Sequence, residues 1–389
     1  MTLDDIARLS GVSKTTASRA FSNPTAVSET TRNHVLEVAQ RYNFRPNAMA
    51  QAVARRKSGL IGFCLYNKSR PFFGHTFFGP VLDGVTEQAK ALNYHVVLAI
   101  TDEMQDSFEE RFIEDAIEGA ILSSFVPEKM VEAFRKRNTP VVLINDELTT
   151  AHTGYILDDN YGGAKKLMAH LIDECGYSSV AFLSSRLSHS SNMMRYIGYL
   201  DALQERNLAP YSALGLPYYD LLGATREYNR TRLFHYGYSE IPRCGTPIIC
   251  ADHTPECAYE NTLMLLAQPT PPRAIFCVSD LLAVGVIKAV LSKGLRIPED
   301  IAVCGYDDVE AASLSEPPIT TIAVDRIGIG QAAVKLLKTY IDNPNLPSKT
   351  ICLENKLIVR GSTVRAGKEF SSPPASCQCN HHGEVLSVR

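Results

Sequence analysis

Three helices are announced in the first forty-five residues, each by a hydroxyl residue placed to cap it, and that pattern leaves the amino-terminal part of the chain little freedom. Thr2 stands before Asp5 at capping-box spacing, ahead of Ile6, Ala7 and Leu9, and Gly11 closes the helix. After the Gly11-Val12 turn, Ser13 is placed to cap a second helix whose Ala17, Ala20 and Phe21 make one apolar stripe. Its other face carries Lys14, Thr15, Ser18 and Arg19, side chains of the kind that bond to base edges and phosphates. Ser28 caps a third helix, in which Val35, Val38, Ala39 and Tyr42 follow helical spacing and close a small core over the first two. Two short helices joined by a glycine turn form a helix-turn-helix. A small bundle with a solvated basic face is the plainer reading of the same residues.

Charge favours the first reading. Residues 1–58 hold nine Lys and Arg against four Asp and Glu, a net +5, so the −3 of the whole chain leaves −8 for the remainder. A basic head on an acidic body suits a protein that meets a polyanion with its head alone. At 45% hydrophobic and 21% charged residues, the remaining length can bury large cores. No apolar run reaches the roughly twenty residues that a membrane crossing needs, and Met1 leads directly into a capped helix, so a cytoplasmic location is expected. The ten cysteines agree, since most sit singly in apolar runs (Cys64, Cys277, Cys304), where a reduced Cys acts as a small hydrophobe.

From Leu60 onward, short apolar strands alternate with amphipathic helices, the signature of parallel sheets covered on both faces. Strands are expected at 60–65, 95–100, 120–122 and 141–144, with helices over 81–92, 108–117 and 130–137 between them. A second series begins at Asp159: a helix to Glu174, strands at 180–183, 248–250 and 274–278, and helices from Met193 and over 281–293. Two similar α/β lobes are implied, and open sheets of this kind bind ligands off the carboxyl ends of their strands.

The run Leu3-Asp4-Asp5-Ile6-Ala7-Arg8-Leu9-Ser10-Gly11-Val12-Ser13, then Thr16-Ala17-Ser18-Arg19 and Arg45-Pro46-Asn47-Ala48, is similar to the signature of the LacI/GalR family of bacterial transcription regulators. The resemblance extends to about residue 365. It implies a helix-turn-helix domain over 1–45, a hinge helix over 46–58 and a two-lobed, periplasmic-binding-protein-like core. The first lobe would take 59–157 and 297–322, the second 158–296 and 323–365, with crossings near Leu157, Arg296 and Ala323. By the same resemblance Lys14, Thr15 and Arg19 read bases in the major groove, while Thr2, Ser13, Ser18, Ser22, Ser28 and Thr31 contact the DNA backbone. In the hinge, Asn47, Gln51, Val53 and Ala54 meet the minor groove, with Val53 at a wedge position where the family usually places Leu. That segment is too short to hold a helix alone in water, and a plain basic linker is its other reading.

For the cleft, the resemblance implies effector contacts from Phe77, Phe78, Asp159, Arg195 and Asp280. Phe77 and Phe78 also read as ordinary core aromatics, Arg195 as a solvated helix-start arginine and Asp280 as the cap of the following helix. The insert between Leu65 and Phe77 is longer and more aromatic than the family's usual loop, and the tyrosine-rich stretch 207–245 has no clear match in the family pattern. Adjacent Asp307 and Asp308 read as turn-pinning carboxylates, and Gly328-Ile329-Gly330 reads as a helix start. Residues 366–389 are expected to be a disordered extension, and the Cys377, Cys379, His381, His382 cluster lacks the separated pairs of a structural metal site.

The expectation is therefore a non-enzymatic, cofactor-free homodimer on double-stranded operator DNA, controlled by a small-molecule effector. A repressor of a carbohydrate-utilisation operon sensing a sugar or sugar derivative is the first reading. A regulator responding to a nucleobase or other metabolite, or a periplasmic-type binding protein without a transcriptional role, stands beside it.

Overall fold

The computed structural model describes residues 1–22, 26–44, 58–66, 76–101, 117–123, 128–146, 151–185, 187, 189–212, 248–250 and 252–364. The expected helix over 108–117 up to residue 116, the hinge segment up to residue 57, most of 207–245 and the tail with its Cys/His cluster lie outside them.

The head is built from α1 (Leu3–Leu9), α2 (Lys14–Ser22) and α3 (Glu29–Arg41). Its core is Ile6, Ala7, Ala17, Ala20, Val35, Val38 and Ala39, with Phe21 and Phe44 at its edge, their rings 6.0 Å apart. All three expected caps form. Thr2 and Asp5 make a reciprocal capping box, and the Thr16 and Thr31 amides donate to Ser13 Oγ and Ser28 Oγ at 3.0 and 3.3 Å. Gly11 turns the chain with φ +64°.

The first lobe contains β1 (Leu60–Tyr66), α4 (Phe78–Ala91), β2 (His95–Thr101), β3 (Gly119–Ser123), α5 (Glu128–Lys136), β4 (Val141–Ile144) and β5 (Thr153–Asp158). The second takes α6 (Asn160–Ala169) with a π-turn at His170–Glu174, β6 (Val180–Ser184), α7 (Ser190–Gln204), β7 (Ile248–Ile249) and α8 (Pro255–Leu266). It continues through β8 (Ala274–Cys277), α9 (Asp280–Ser292), β9 (Ala302–Cys304) and α10 (Glu310–Leu314). The last elements are β10 (Thr321–Ala323), α11 (Arg326–Asp342), β11 (Lys349–Leu353) and β12 (Lys356–Ile358). The expected pattern omitted β5, α8, β9, α10, β10 and β11.

Two parallel sheets result, ordered β11-β5-β4-β3-β1-β2 and β7-β6-β8-β9, while β10 and β12 form an antiparallel pair. Side chains of the first sheet alternate between two cores. Ile61, Phe63, Ile121, Val142 and Ile144 join the main cluster; Cys64, Ala120, Leu122, Val141 and Leu143 pack with Val131 and Phe134 of α5. Strict alternation into apolar surroundings on both sides is what a parallel sheet with helices on each face requires.

The division of the chain between lobes differs from the expected one. Residues 302–304, placed with the first lobe by the resemblance, pair with β8 in the second lobe's sheet. Residues 326–353, placed with the second, return to the first: α11 packs on α4 and the sheet, and β11 pairs with β5. The crossings fall at 158–160, 323–326 and 353–356, with none near Arg296. The cause is pairing partner: β9 finds an open edge beside β8, and β11 finds one beside β5.

α4 and α11 approach each other through glycine. A Cβ on Gly84 would fall inside the Ile327 carbonyl, and one on Gly330 inside the Val81 carbonyl. Backbone cannot yield as a flexible side chain can, so Gly84→Ala and Gly330→Ala should each cost about 3 kcal/mol, the upper end for overpacking. The readout is the midpoint of chemical unfolding; a variant within about 0.5 kcal/mol of the parent would refute the close approach.

Candidate nucleic-acid interface and effector cleft

On the outer face of α2, Lys14, Thr15 and Arg19 are exposed and Ser18 is half-exposed, while Ala17 and Ala20 turn inward. Lys14 Nζ lies 2.8 Å from Asp4 of α1, both side chains more than half exposed, a pair that solvent screens and that a phosphate could replace. Thr2, Ser13 and Ser28 are exposed at the amino ends of α1, α2 and α3, and Thr31 lies one turn into α3. These ends point N–H groups outward, the arrangement that favours anions. Ser22 closes α2, but its side chain, like Asn47, Gln51, Val53 and Ala54, lies outside the described residues.

In the body, the first and third crossings leave from the carboxyl ends of β5 and β11, and the second follows β10 of the antiparallel pair, so the carboxyl end of the first sheet lies where the lobes join. Arg326 spans the junction, donating from Nη1 to the Thr76 carbonyl and from Nη2 to the Asp308 carbonyl, both at 2.9 Å. Arg195 of α7 is buried at its centre with 4% exposure. Its Nε donates to Asn160 Oδ1 at 2.7 Å, Nη1 to the Val278 carbonyl at 2.6 Å and Nη2 to Asp307 Oδ1 at 3.0 Å. Asp158 lies 3.8 Å from Nη2, and the guanidinium stacks 3.6 Å above the Tyr306 ring. Burial opposes the charge, but Asp307, Tyr306 and Asp158 overcome it and raise the Arg195 pKa. The same burial pushes Asp307 up to about 6 despite the arginine beside it. Asn355 completes the cluster, donating to Asp158 Oδ2 at 3.2 Å and to the Tyr306 hydroxyl at 3.0 Å.

Asp280 opens α9 at zero exposure, but Ser279, not Asp280, caps that helix. Its carboxylate accepts from Thr321 Oγ1 at 2.6 Å and from the Val309 amide at 2.9 Å, and its Oδ1 fills the space where a Cβ on Gly305 would sit. Burial, with Asp307 adding to it, pushes its pKa up to about 8 against the pull of those two hydrogen bonds. Asp159 caps α6 by accepting from the Gly162 amide at 2.8 Å. Phe78 is buried under α4, and Phe77 is half-buried with its ring edge-on to Phe78 at 5.1 Å. The five residues expected at the cleft thus come to the lobe junction, with Arg195, Asp159 and Asp280 already engaged by the protein.

Sequence reasoning missed a second set of residues at these strand ends. His253 bridges two serines, with Nδ1 2.9 Å from Ser185 Oγ and Nε2 2.9 Å from Ser279 Oγ; Asn192 donates to Ser185 at 3.1 Å. The signal available was Thr254-Pro255, a cap followed by proline at the first helical position, which announces α8 and places His253 at its entrance. Ser123 Oγ, Asn145 Oδ1 and Ser184 Oγ, at the ends of β3, β4 and β6, are buried without a hydrogen-bond partner among the described residues. Buried polar atoms of this kind are costly unless something pairs with them.

Comparison with known proteins assigns the class. Residues 2–47 match the model of bacterial regulatory proteins of the lacI family, 58–213 that of periplasmic binding proteins and sugar binding domain of LacI family, and 168–363 that of the periplasmic binding protein-like domain. The chain belongs to the LacI family and is a DNA-binding transcriptional regulator. It is 26% identical over 371 residues to the HTH-type transcriptional repressor PurR of Mannheimia succiniciproducens, covering 94% of this chain and 99% of that one. It is 28% identical over 372 residues to the probable HTH-type transcriptional repressor ExuR of Bacillus subtilis, with the same coverage. Among solved structures, the Lac repressor dimer bound to operator and the anti-inducer ONPF superposes with TM-score 0.74 at 22% identity, covering 94% and 99% of the two chains. The CelR–cellobiose complex gives 0.64 at 22% identity, covering 93% and 99%. No helix among the described residues is long and apolar enough to cross a membrane.

Two outcomes follow from the buried charges. Arg195→Met leaves buried Asp158 and half-buried Asp307 without their cation, a loss of about 3 kcal/mol; an unchanged unfolding midpoint would dismiss the cluster as a stabilising element. Asp280 holds its proton in the folded state to about pH 8 but releases it near the ordinary carboxylate range when unfolded. Folding therefore takes up a proton between those values, and stability contributed at low pH is lost as pH rises towards 8. Thermal melts from pH 5 to 8 should fall less steeply in Asp280→Asn than in the parent; parallel curves would contradict the shift.

Proposed function

We propose that the protein is a homodimeric repressor of a carbohydrate-utilisation operon, binding a near-palindromic operator and controlled by a sugar or sugar derivative in the cleft. The observation that carries the DNA-binding half is the exposed Lys14, Thr15, Ser18, Arg19 face on a capped, packed second helix of a helix-turn-helix. One head reads each half-site in the major groove, with Lys14, Thr15 and Arg19 on bases. The hydroxyls of Thr2, Ser13, Ser18, Ser22, Ser28 and Thr31 contact the backbone. Asn47, Gln51, Val53 and Ala54 meet the minor groove, where two hinge segments pair across the dimer axis.

In the cleft, Phe77 supplies an apolar face with Phe78 behind it, and the His253, Ser185, Ser279, Asn192 chain supplies hydroxyl and amide partners. That pairing of one aromatic wall with several small polar groups suits a polyhydroxylated ring. The similar CelR, solved with cellobiose, supports the class. Asp159, Arg195 and Asp280 form the floor, and their role is to fix the loops that meet the effector. Effector binding changes the angle between lobes and so the spacing of the hinge segments, a coupling of about 1–3 kcal/mol in typical allosteric proteins.

Arg19→Ala should relax base preference and cost about 1–3 kcal/mol on the preferred duplex, while Ser18→Ala weakens binding to all duplexes alike. Equal losses from both, measured by titration at fixed salt, would count against the assignment. For the effector, a thermal-shift screen with sugars, sugar phosphates and nucleobases should give stabilisation by a sugar that His253→Ala abolishes. Stabilisation by nucleobases alone would overturn the carbohydrate reading and leave the DNA-binding one standing.

A further inference from the structure

The chain enters the body at the amino end of β1, and there residues 58–60 are held tightly. The Leu60 amide donates to Ser58 Oγ at 3.1 Å, the Leu60 carbonyl accepts from the Glu118 amide at 2.8 Å, and the Gly59 carbonyl accepts from the His95 amide at 2.8 Å. The Gly59 amide is held by a side chain. It donates to Glu118 Oε1 at 2.7 Å, and the other oxygen of that carboxylate, Oε2, accepts from the Tyr94 hydroxyl at 3.1 Å. Gly59 has φ +70°, so the chain turns off the line of β1 at this residue.

Water can satisfy an amide at the mouth of a strand, so bonding alone does not call for a carboxylate from 59 residues away. What the side chain adds is a fixed position. Glu118 directly precedes β3 and Tyr94 directly precedes β2, the two strands that flank β1, so the clamp draws on both neighbours of the entering strand. Both carboxylate oxygens are engaged, and the 2.7 Å separation from Gly59 is that of a charge-assisted bond. Burial, with the Glu118 carboxylate beside it, pushes the Tyr94 pKa up to about 12, so the hydroxyl keeps its proton and stays a donor at neutral pH. The clamp lies at the opposite end of β3 from Ser123, on the side where the segment that follows the head joins the body.

We propose that Glu118 is a positioning residue for operator binding: its carboxylate, braced by Tyr94, fixes the point and direction from which the segment 46–57 leaves the first lobe. The inference rests on the reading of that segment as a hinge paired across a dimer axis. A segment too short to hold a helix alone gains its structure from its partner, and pairing depends on the effective concentration of one segment at the other. Two fixed points of departure keep that concentration high and confine the pair to one separation of the heads. Released at Gly59, each segment starts from a spread of positions, so pairing weakens and the spacing of half-sites matters less. Base reading by each head is untouched, since Lys14, Thr15 and Arg19 stand on a helix with its own packed core.

The test uses the full-length protein and three duplexes: one selected by the parent from a random pool, the same duplex with one base pair added at its centre, and a single half-site. The parent should bind the selected duplex about tenfold more tightly than the lengthened one. Glu118→Ala should bind the selected duplex about tenfold more weakly than the parent does, and the two lengths within about twofold of each other, with half-site affinity unchanged. Glu118→Gln should keep the parent's preference, because its amide oxygen still accepts from Gly59 and its amide nitrogen donates to the Tyr94 oxygen. Tyr94→Phe, which frees Oε2 alone, should reduce the preference to about threefold and decides the matter if Glu118→Ala does not fold. Parent-like discrimination in folded Glu118→Ala, equal losses from the Ala and Gln variants, or a matching loss on the half-site would each overturn the proposal. A parent indifferent to the added base pair would overturn the paired-hinge reading and this proposal with it, whereas a parent that discriminates leaves that reading standing and lets the variants judge the clamp alone.

Discussion

One buried cation holds the body of this regulator together. Arg195 reaches the first crossing through Asn160 and Asp158, the loop beside the second through Asp307, and the third through Tyr306 and its partner Asn355. Two of the segments that run between lobes, and the loop beside the other, are thereby tied directly or through one neighbour to a single guanidinium. A planar group with several fixed donors suits this task better than a point charge, since each donor is directed to a different partner. The geometry also sets a condition on the lobes: any change in their angle must either carry this cluster as a unit or rearrange it.

Around that cluster the strand ends are polar and the strand bodies are not. The sheets bury apolar side chains on both faces, while Ser123, Asn145, Ser184 and Ser185 cluster where strands finish. The division has a simple cause. Strand interiors face helices, but strand ends face the other lobe, where backbone groups are spent on loops and side chains are left to meet a ligand. Arg326, joining the Thr76 and Asp308 carbonyls, is the direct link from the floor of this region to α4 and so to the first lobe's outer helices.

The head was legible in the sequence to the level of single hydrogen bonds. Thr2, Ser13 and Ser28 each cap the helix expected of them, because a cap is a local interaction over three residues. Most strands of the body were legible too, since an apolar run between turn residues needs no distant partner to be seen. β5, α8 and β11 were not: β11 has exposed and half-exposed residues, and α8 mixes Glu256, Glu260 and Asn261 into its turns. The residues expected at the cleft lie at the lobe junction, where Arg195, Asp159 and Asp280 bond to the protein itself. Arg195 reads as a ligand fork in one dimension and becomes a clasp in three, because its partners lie 35 to 112 residues away.

The sequence by itself determined a capped basic helix-turn-helix and an alternating α/β body, since both are written in spacings of a few residues. Only the tertiary structure decided which lobe owns each late segment, through the sheet edges that β9 and β11 find. It also decided that His253 stands between Ser185 and Ser279, and that Asp280 is sealed against Thr321. Those outcomes depend on contacts between residues far apart in the chain, and local periodicity carries no information about them.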